Sequence, residues 1–150
     1  MLRNREQFGI DSFEVKGITI HNTGTKDTAY ELYKKIRKSS MSNGAHFLVD
    51  KDQVIQLLPL NHSSWHTGKG YDFGNLFTIA IEICQSQSDD YFEAQKRAAT
   101  LIKQLLKSYG LTTADIYFHN DFNERTYCPH RILDIYKTKE EFIKEVLENA

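Results

Sequence analysis

Histidine, cysteine and a glutamate set among isoleucines are the residues of this sequence whose types and spacing could do chemistry. His119 and Cys128 stand nine residues apart across a short connection (Asn120 to Tyr127), and Pro129 follows the cysteine. Imidazole nitrogen and thiolate sulfur are both zinc donors, and a catalytic zinc site uses three protein ligands and one water. His21 can supply the third ligand. Two neutral imidazoles and one thiolate leave a local charge near +1, enough to acidify water toward ~7 and to polarise a carbonyl. Each residue also has a plainer reading. A histidine at a strand end is more often a hydrogen-bonded polar group, Cys128 a buried inert thiol and Glu82 a solvated charge on a sheet face. A histidine-to-cysteine gap is less specific than a CxxC pair. A thiol hydrolase would use the same residues differently, with Cys128 as nucleophile and His119 or His130 as base. Pro129 is favoured in a helix's first turn, which would put Cys128 at an N-cap where a thiol pKa falls. That feature serves a thiolate ligand equally.

Strands and helices must bring these residues together. Gly17 to His21, Ala45 to Asp50, Gln53 to Leu58, Phe77 to Cys84 and Ile116 to His119 are short and rich in β-branched or aromatic residues, so they are expected to be strands. Lys51-Asp52 turns the second into the third as an antiparallel hairpin. Side chains alternate between the two faces of a sheet. Ile18 and Ile20, the set Phe77, Ile79, Ile81 and Ile83, and the pair Ile116 and Phe118 therefore form greasy faces. His21, Glu82 and His119 point the other way, with His46 beside them. The greasy face is expected to pack against helices, and the other to be left for a cleft.

Three helices are expected. Thr28 to Arg37 opens on a Thr28/Glu31 capping box, and Lys139 to Glu148 on Thr138 with Glu141. Asp90 to Tyr109 carries the stripe Ala98, Leu101, Ile102 and Leu105, with Asp89 and Asp90 to cap it and Gly110 to end it. Asn61 to Asn75 reads as a long loop, and loops of that length are usually functional. The pattern is a single α/β domain over residues 1–150, a central mixed sheet flanked by helices.

The chain has 150 residues, 17.4 kDa, two cysteines and a net charge of −1 from 19 Lys+Arg and 20 Asp+Glu. That balance gives no global field for nucleic acid or anionic lipid, no apolar run is long enough to span a bilayer, and two cysteines are too few for a disulfide scaffold. The polar start, Met1 to Gln7, does not read as a signal peptide. The expectation is a monomeric enzyme or binding domain made in a cytosol, with no nucleic-acid or membrane partner.

Five blocks carry a family resemblance: Ile18-Thr19-Ile20-His21-Asn22-Thr23, Asn43-Gly44-Ala45-His46-Phe47-Leu48-Val49-Asp50, Ser64-Trp65-His66-Thr67-Gly68, Ala80-Ile81-Glu82-Ile83-Cys84, and His119-Asn120-Asp121 with Cys128-Pro129-His130. In this order the chain resembles the zinc-dependent N-acetylmuramoyl-L-alanine amidases of the type-2 group. That group includes phage endolysins and shares its fold with peptidoglycan recognition proteins. The resemblance runs from about Gly17 to His130. It implies that His21, His119 and Cys128 bind Zn²⁺, and that the substrate is peptidoglycan, cut between the lactyl group of N-acetylmuramic acid and L-alanine. Some members carry a tyrosine just before the histidine of the second block; Ala45 stands here, so Glu82 is the expected acid/base. The family lysine two residues before the zinc cysteine is replaced by Thr126, with Arg125 beside it, and the histidine-to-cysteine gap is one residue longer. Arg125 is the expected oxyanion partner, with the Thr126 hydroxyl or the zinc alone as substitutes.

His46 is expected to orient the glutamate or touch substrate, its plainer role being a hydrogen bond within the sheet. Trp65 and His66 are expected in the groove wall, although Trp65 would serve equally as a loop anchor. Cys84 reads as a packed residue, and His62 and His130 as surface polar groups. A non-catalytic module sensing wall fragments is the third alternative; such family receptors typically lack the zinc cysteine. Without a signal peptide, a phage lysin reaches the wall by release through a pore. Such lysins often add a wall-binding domain, so this chain reads as an isolated catalytic part or a short enzyme.

Overall fold

The structure is a computed structural model that describes residues 3–4, 14–38, 44–85 and 90–149. In chain order its elements are β1 (Arg3–Asn4), β2 (Gly17–Asn22), α1 (Ala29–Lys38), β3 (Phe47–Val49), β4 (Val54–Gln56) and β5 (His62–Ser63). There follow α2 (Phe73–Phe77), β6 (Thr78–Ile83), α3 (Tyr91–Ser108), β7 (Ile116–Phe118), α4 (His119–Phe122), α5 (His130–Tyr136) and α6 (Lys139–Phe142). The last continues as π-helical turns over Ile143–Glu148.

Five strands form one sheet in the order β4-β3-β6-β2-β7, and β1 pairs separately with β5. Within the five-stranded sheet β2 and β6 have parallel neighbours and the β3–β4 hairpin is antiparallel, as is the separate β1–β5 pair. The sheet is therefore mixed, as the sequence pattern implies. Parallel strands in the middle of such a sheet are covered on both sides, and every residue of β2 is buried.

One face carries Ile18, Ile20, Ile79, Ile81, Ile83 and Phe118, which pack with Ala98 and Ile102 of α3, Ile132 of α5 and Phe142. Alternation predicts this set. The other face is not an open cleft throughout. Helix α1 lies over part of it, with Ala29, Leu32, Tyr33 and Ile36 against Leu48 and Cys84. The cleft keeps only what α1 leaves uncovered.

Local chemistry holds α1 in place. Its predicted capping box forms, with Glu31 N–H on Thr28 Oγ1 and Thr28 N–H on Glu31 Oε1, both 3.1 Å. Buried Asp50 then ties the helix to the hairpin: one carboxylate oxygen accepts from Ala29 N–H at 2.9 Å, the other from Asp52 and Gln53 N–H.

Gly110, at φ +66°, ends α3 as expected. Asp90 does not cap it with its side chain, because its backbone is already helical (φ −84°, ψ −17°); its carboxylate lies 3.5 Å from Lys51 instead. Asp89 lies outside the described residues. The segment Asn61 to Asn75 holds β5 and the start of α2 rather than loop alone. Two expected strand ends are helical: Phe77 closes α2, and His119 opens α4.

Candidate metal centre

Register brings the first two site residues together. In the β2–β6 pairing His21 sits opposite Glu82, and in the β3–β6 pairing Glu82 sits opposite Leu48. Cross-strand partners share a face, so His21 and Glu82 meet, with His21 Nδ1 3.8 Å from Glu82 Oε1. His119 arrives at the same end of the sheet because β7 pairs with β2 and stops one residue short of it. The His21 and His119 rings lie 4.6 Å apart between centroids.

Cys128 comes from the connection before α5. Its Sγ lies 3.7 Å from His21 Nδ1, across 107 residues of sequence. A single donor atom from each of His21, His119 and Cys128 lies within 4.8 Å of the other two. Two nitrogens and a sulfur at this spacing match zinc's preferred donors, with room for a fourth ligand. The donor set fits the ion that the sequence implies.

Asn22, which sequence reading passed over, fixes the approach of the cysteine. Its side-chain oxygen accepts from Arg131 N–H at 3.0 Å and Ile132 N–H at 3.1 Å, capping α5 from another strand. Its amide nitrogen donates to the Tyr91 hydroxyl at 3.3 Å. Its position directly after His21 is the one sequence signal that could have flagged it. Gln85 plays a lesser part: its amide donates to the Thr23 carbonyl and to His130 Nε2, both at 2.7 Å.

Burial dominates the electrostatics. The His21 pKa is held well below its ordinary value, first by burial and then by His66 and His119. Burial pushes the Glu82 carboxyl up to about 7 and the Cys128 thiol up to about 12. Pro129, not Cys128, is the N-cap of α5. The cysteine thus gains no helix-terminus activation of the kind the thiol-hydrolase reading needs. Cys84 packs against Leu48 and Ala29, and its thiol is likewise pushed up to about 12, first by burial.

The triad and Glu82 open onto a cleft of about 650 Å³ whose far wall includes Leu32, Ile36 and Ala45. A second cavity of about 460 Å³, with Gly68, Asn75 and Asn123 in its lining, meets it at Trp65, His66, His119 and Thr126. The donor triad therefore sits near the junction of two arms. Trp65 lines both arms and meets Tyr71 edge to face at 5.1 Å.

Two expected side chains line neither arm. His46 is fully buried; its Nδ1 accepts from Ala80 N–H at 3.0 Å, which leaves Nε2 to donate to the His62 carbonyl at 2.7 Å. It holds the sheet rather than facing the cleft. Arg125 is exposed and lines neither cavity, whereas Thr126 lines both. Among the described residues no lysine or arginine lines either arm.

Comparison with known proteins shows the family. The sequence model of a family described as N-acetylmuramoyl-L-alanine amidase matches residues 11–131. N-acetylmuramoyl-L-alanine amidase CwlA of Bacillus subtilis (strain 168) is 38% identical over 138 residues, covering 88% of this chain and 50% of that protein. Endolysin PlyTW of Staphylococcus phage Twort is 27% identical over 155 residues, covering 87% of this chain and 32% of that protein. The chain thus spans about half the length, or less, of these curated relatives. The solved structure of PlyL superposes with a TM-score of 0.81 at 31% identity, covering 89% of this chain and 84% of that one.

Proposed function

We propose a function from one premise: the chain belongs to the N-acetylmuramoyl-L-alanine amidase family. The protein is a zinc-dependent amidase domain acting on bacterial peptidoglycan. It hydrolyses the amide between the lactyl group of N-acetylmuramic acid and L-alanine of the stem peptide. The observation that carries this reading is the convergence of His21, His119 and Cys128 donor atoms beside the Glu82 carboxylate, 3.8 Å from His21 Nδ1.

His21, His119 and Cys128 hold the ion. When bound, zinc supplies a Lewis acid that polarises the scissile carbonyl and makes water easier to deprotonate. Glu82 takes the proton of the attacking water and returns it to the leaving amine, as a carboxylate placed 3.8 Å from the ligand His21 can do. Thr126, which lines both arms where the family has a lysine, donates to the developing oxyanion in place of the exposed Arg125. Trp65 forms the groove wall that receives substrate. Residues 1–150 act as one monomeric catalytic domain. The likeness to an endolysin supports a lytic role, in which the protein reaches the wall after release from the cell that made it.

The test is incubation with purified peptidoglycan, with and without a chelator, beside Glu82→Ala and Cys128→Ser. New L-alanine amino termini should appear with the wild type, vanish with chelator and return with Zn²⁺; both variants should be inactive. Reducing sugar ends, or cleavage that survives the chelator, would overturn the reading. So would tight binding without cleavage.

A further inference from the structure

We propose that His66 is a positioning residue for His21: it fixes the tautomer in which His21 Nδ1 is bare and faces the metal position. The inference rests on the zinc reading above and assigns His66 a task other than touching substrate.

The argument runs along one chain of hydrogen bonds. His66 Nε2 lies 2.9 Å from the Gly74 carbonyl. A carbonyl can only accept, so Nε2 carries the hydrogen. In a neutral imidazole the other nitrogen is then an acceptor. His66 Nδ1 lies 3.1 Å from His21 Nε2, so His21 Nε2 must donate. An imidazole that ligates a metal is neutral and has one ring hydrogen, and that of His21 is spent on this bond. Its lone pair is left at Nδ1, the atom 3.7 Å from Cys128 Sγ and 3.8 Å from Glu82 Oε1. The opposite tautomer would place a hydrogen where an ion must sit.

His66 itself is held firmly. Its backbone N–H donates to Asn75 Oδ1 at 2.6 Å, and Asn75 also accepts from Thr67 N–H at 3.0 Å. The His66 ring stands edge-on to His21, 82° between planes and 5.2 Å between centroids. The next residue does the same for the other imidazole ligand, since His119 Nε2 donates to the Thr67 carbonyl at 3.0 Å. Two consecutive residues, one by side chain and one by backbone, thus aim both ligand rings. Partners of this kind fix ring orientation and raise ligand basicity, and losing one generally lowers metal affinity about 10–100-fold.

The experiment measures zinc affinity by competition with a chromophoric chelator for wild type, His66→Ala and His66→Gln. Activity on a soluble muramyl peptide at saturating zinc is measured alongside. His66→Ala should bind zinc about 10–100-fold more weakly with an unchanged KM. His66→Gln, whose amide oxygen can accept from His21, should recover part of the affinity. Wild-type zinc affinity combined with a raised KM would overturn the proposal and return His66 to the substrate wall. Because His66→Ala could fail to fold, imidazole ¹⁵N spectra of the metal-free wild type give an independent reading. His21 protonated at Nε2 supports the proposal, and protonation at Nδ1 overturns it. A wild type that takes up no zinc defeats the zinc reading instead, a result these spectra distinguish.

Discussion

Burial holds the Glu82 carboxyl at about 7, so the metal-free folded protein keeps a proton that the unfolded chain gives up near 4.5. Stability from this group is therefore lost as pH rises from the unfolded value through the folded one, and the loss is complete above pH 7. At ~1.4 kcal/mol per pK unit, the penalty is at most about 3 kcal/mol. Glu82→Gln should remove it. Urea denaturation of the metal-free variant should show a gain of up to about 3 kcal/mol at pH 8 and none at pH 4. An equal gain at both would trace it to packing. The same variant should lose about 10²–10⁴-fold in turnover while still taking up zinc. The oxyanion assignment has its own pair of variants: Arg125→Ala should leave kcat unchanged, and Thr126→Val should lower it about 10²-fold. Strict alternation made His21 and Glu82 legible in the sequence as one face of one sheet. For His46 the sequence leaves open the plainer role, a hydrogen bond within the sheet, that the structure shows; the partners of His46 and His66 were not legible. Each depends on which distant backbone carbonyl meets a ring nitrogen, His62 for the one and Gly74 for the other, and no local pattern encodes that.

At the scale of elements, the longer helices and the five main strands follow from periodicity and capping residues, and their errors sit at the ends. Phe77 reads as strand by its apolar neighbours. Asp72, accepting from Asn75 N–H at 2.8 Å, instead starts a short helix that absorbs it. Helices α2 and α4 are five and four residues, too short for an apolar stripe to register. Helix α5 is a different case, because its start is secured by a residue far from it in sequence. Asn22→Ala strips the acceptor from two N–H groups of α5 and should cost about 1–2 kcal/mol in urea denaturation. Asn22→Asp, which keeps an acceptor oxygen, should cost less. Equal losses for the two variants would show that the cap contributes nothing.

Taken whole, the molecule is a sheet whose two faces have unequal duties. One is filled by α3, α5 and the C-terminal helices. The other is shared between α1 and a groove with the donor triad at its floor. That division was readable from the greasy and polar sets, but the extent to which α1 closes the polar side was not, because Leu48 and Cys84 look equally at home in either setting. An ion gripped by the first long strand, the residue after the last one and the approach to α5 links segments far apart in the chain. Zinc at a thousandfold excess over its dissociation constant should add about 4 kcal/mol of stability. For a chain of this size that corresponds to a melting temperature on the order of 10 °C higher than in chelator. Identical melts with and without the ion would show that it does not bind the native fold.

The 107 residues between His21 and Cys128 also have a consequence in time. A chain emerging from a ribosome carries the first histidine and the carboxylate early, then the second histidine, and the sulfur only after a further nine residues. On the proposed zinc reading, the nascent polypeptide has no complete grip on a metal until that last donor is free to fold back. A chain terminated anywhere upstream of Cys128 should then be inert on peptidoglycan.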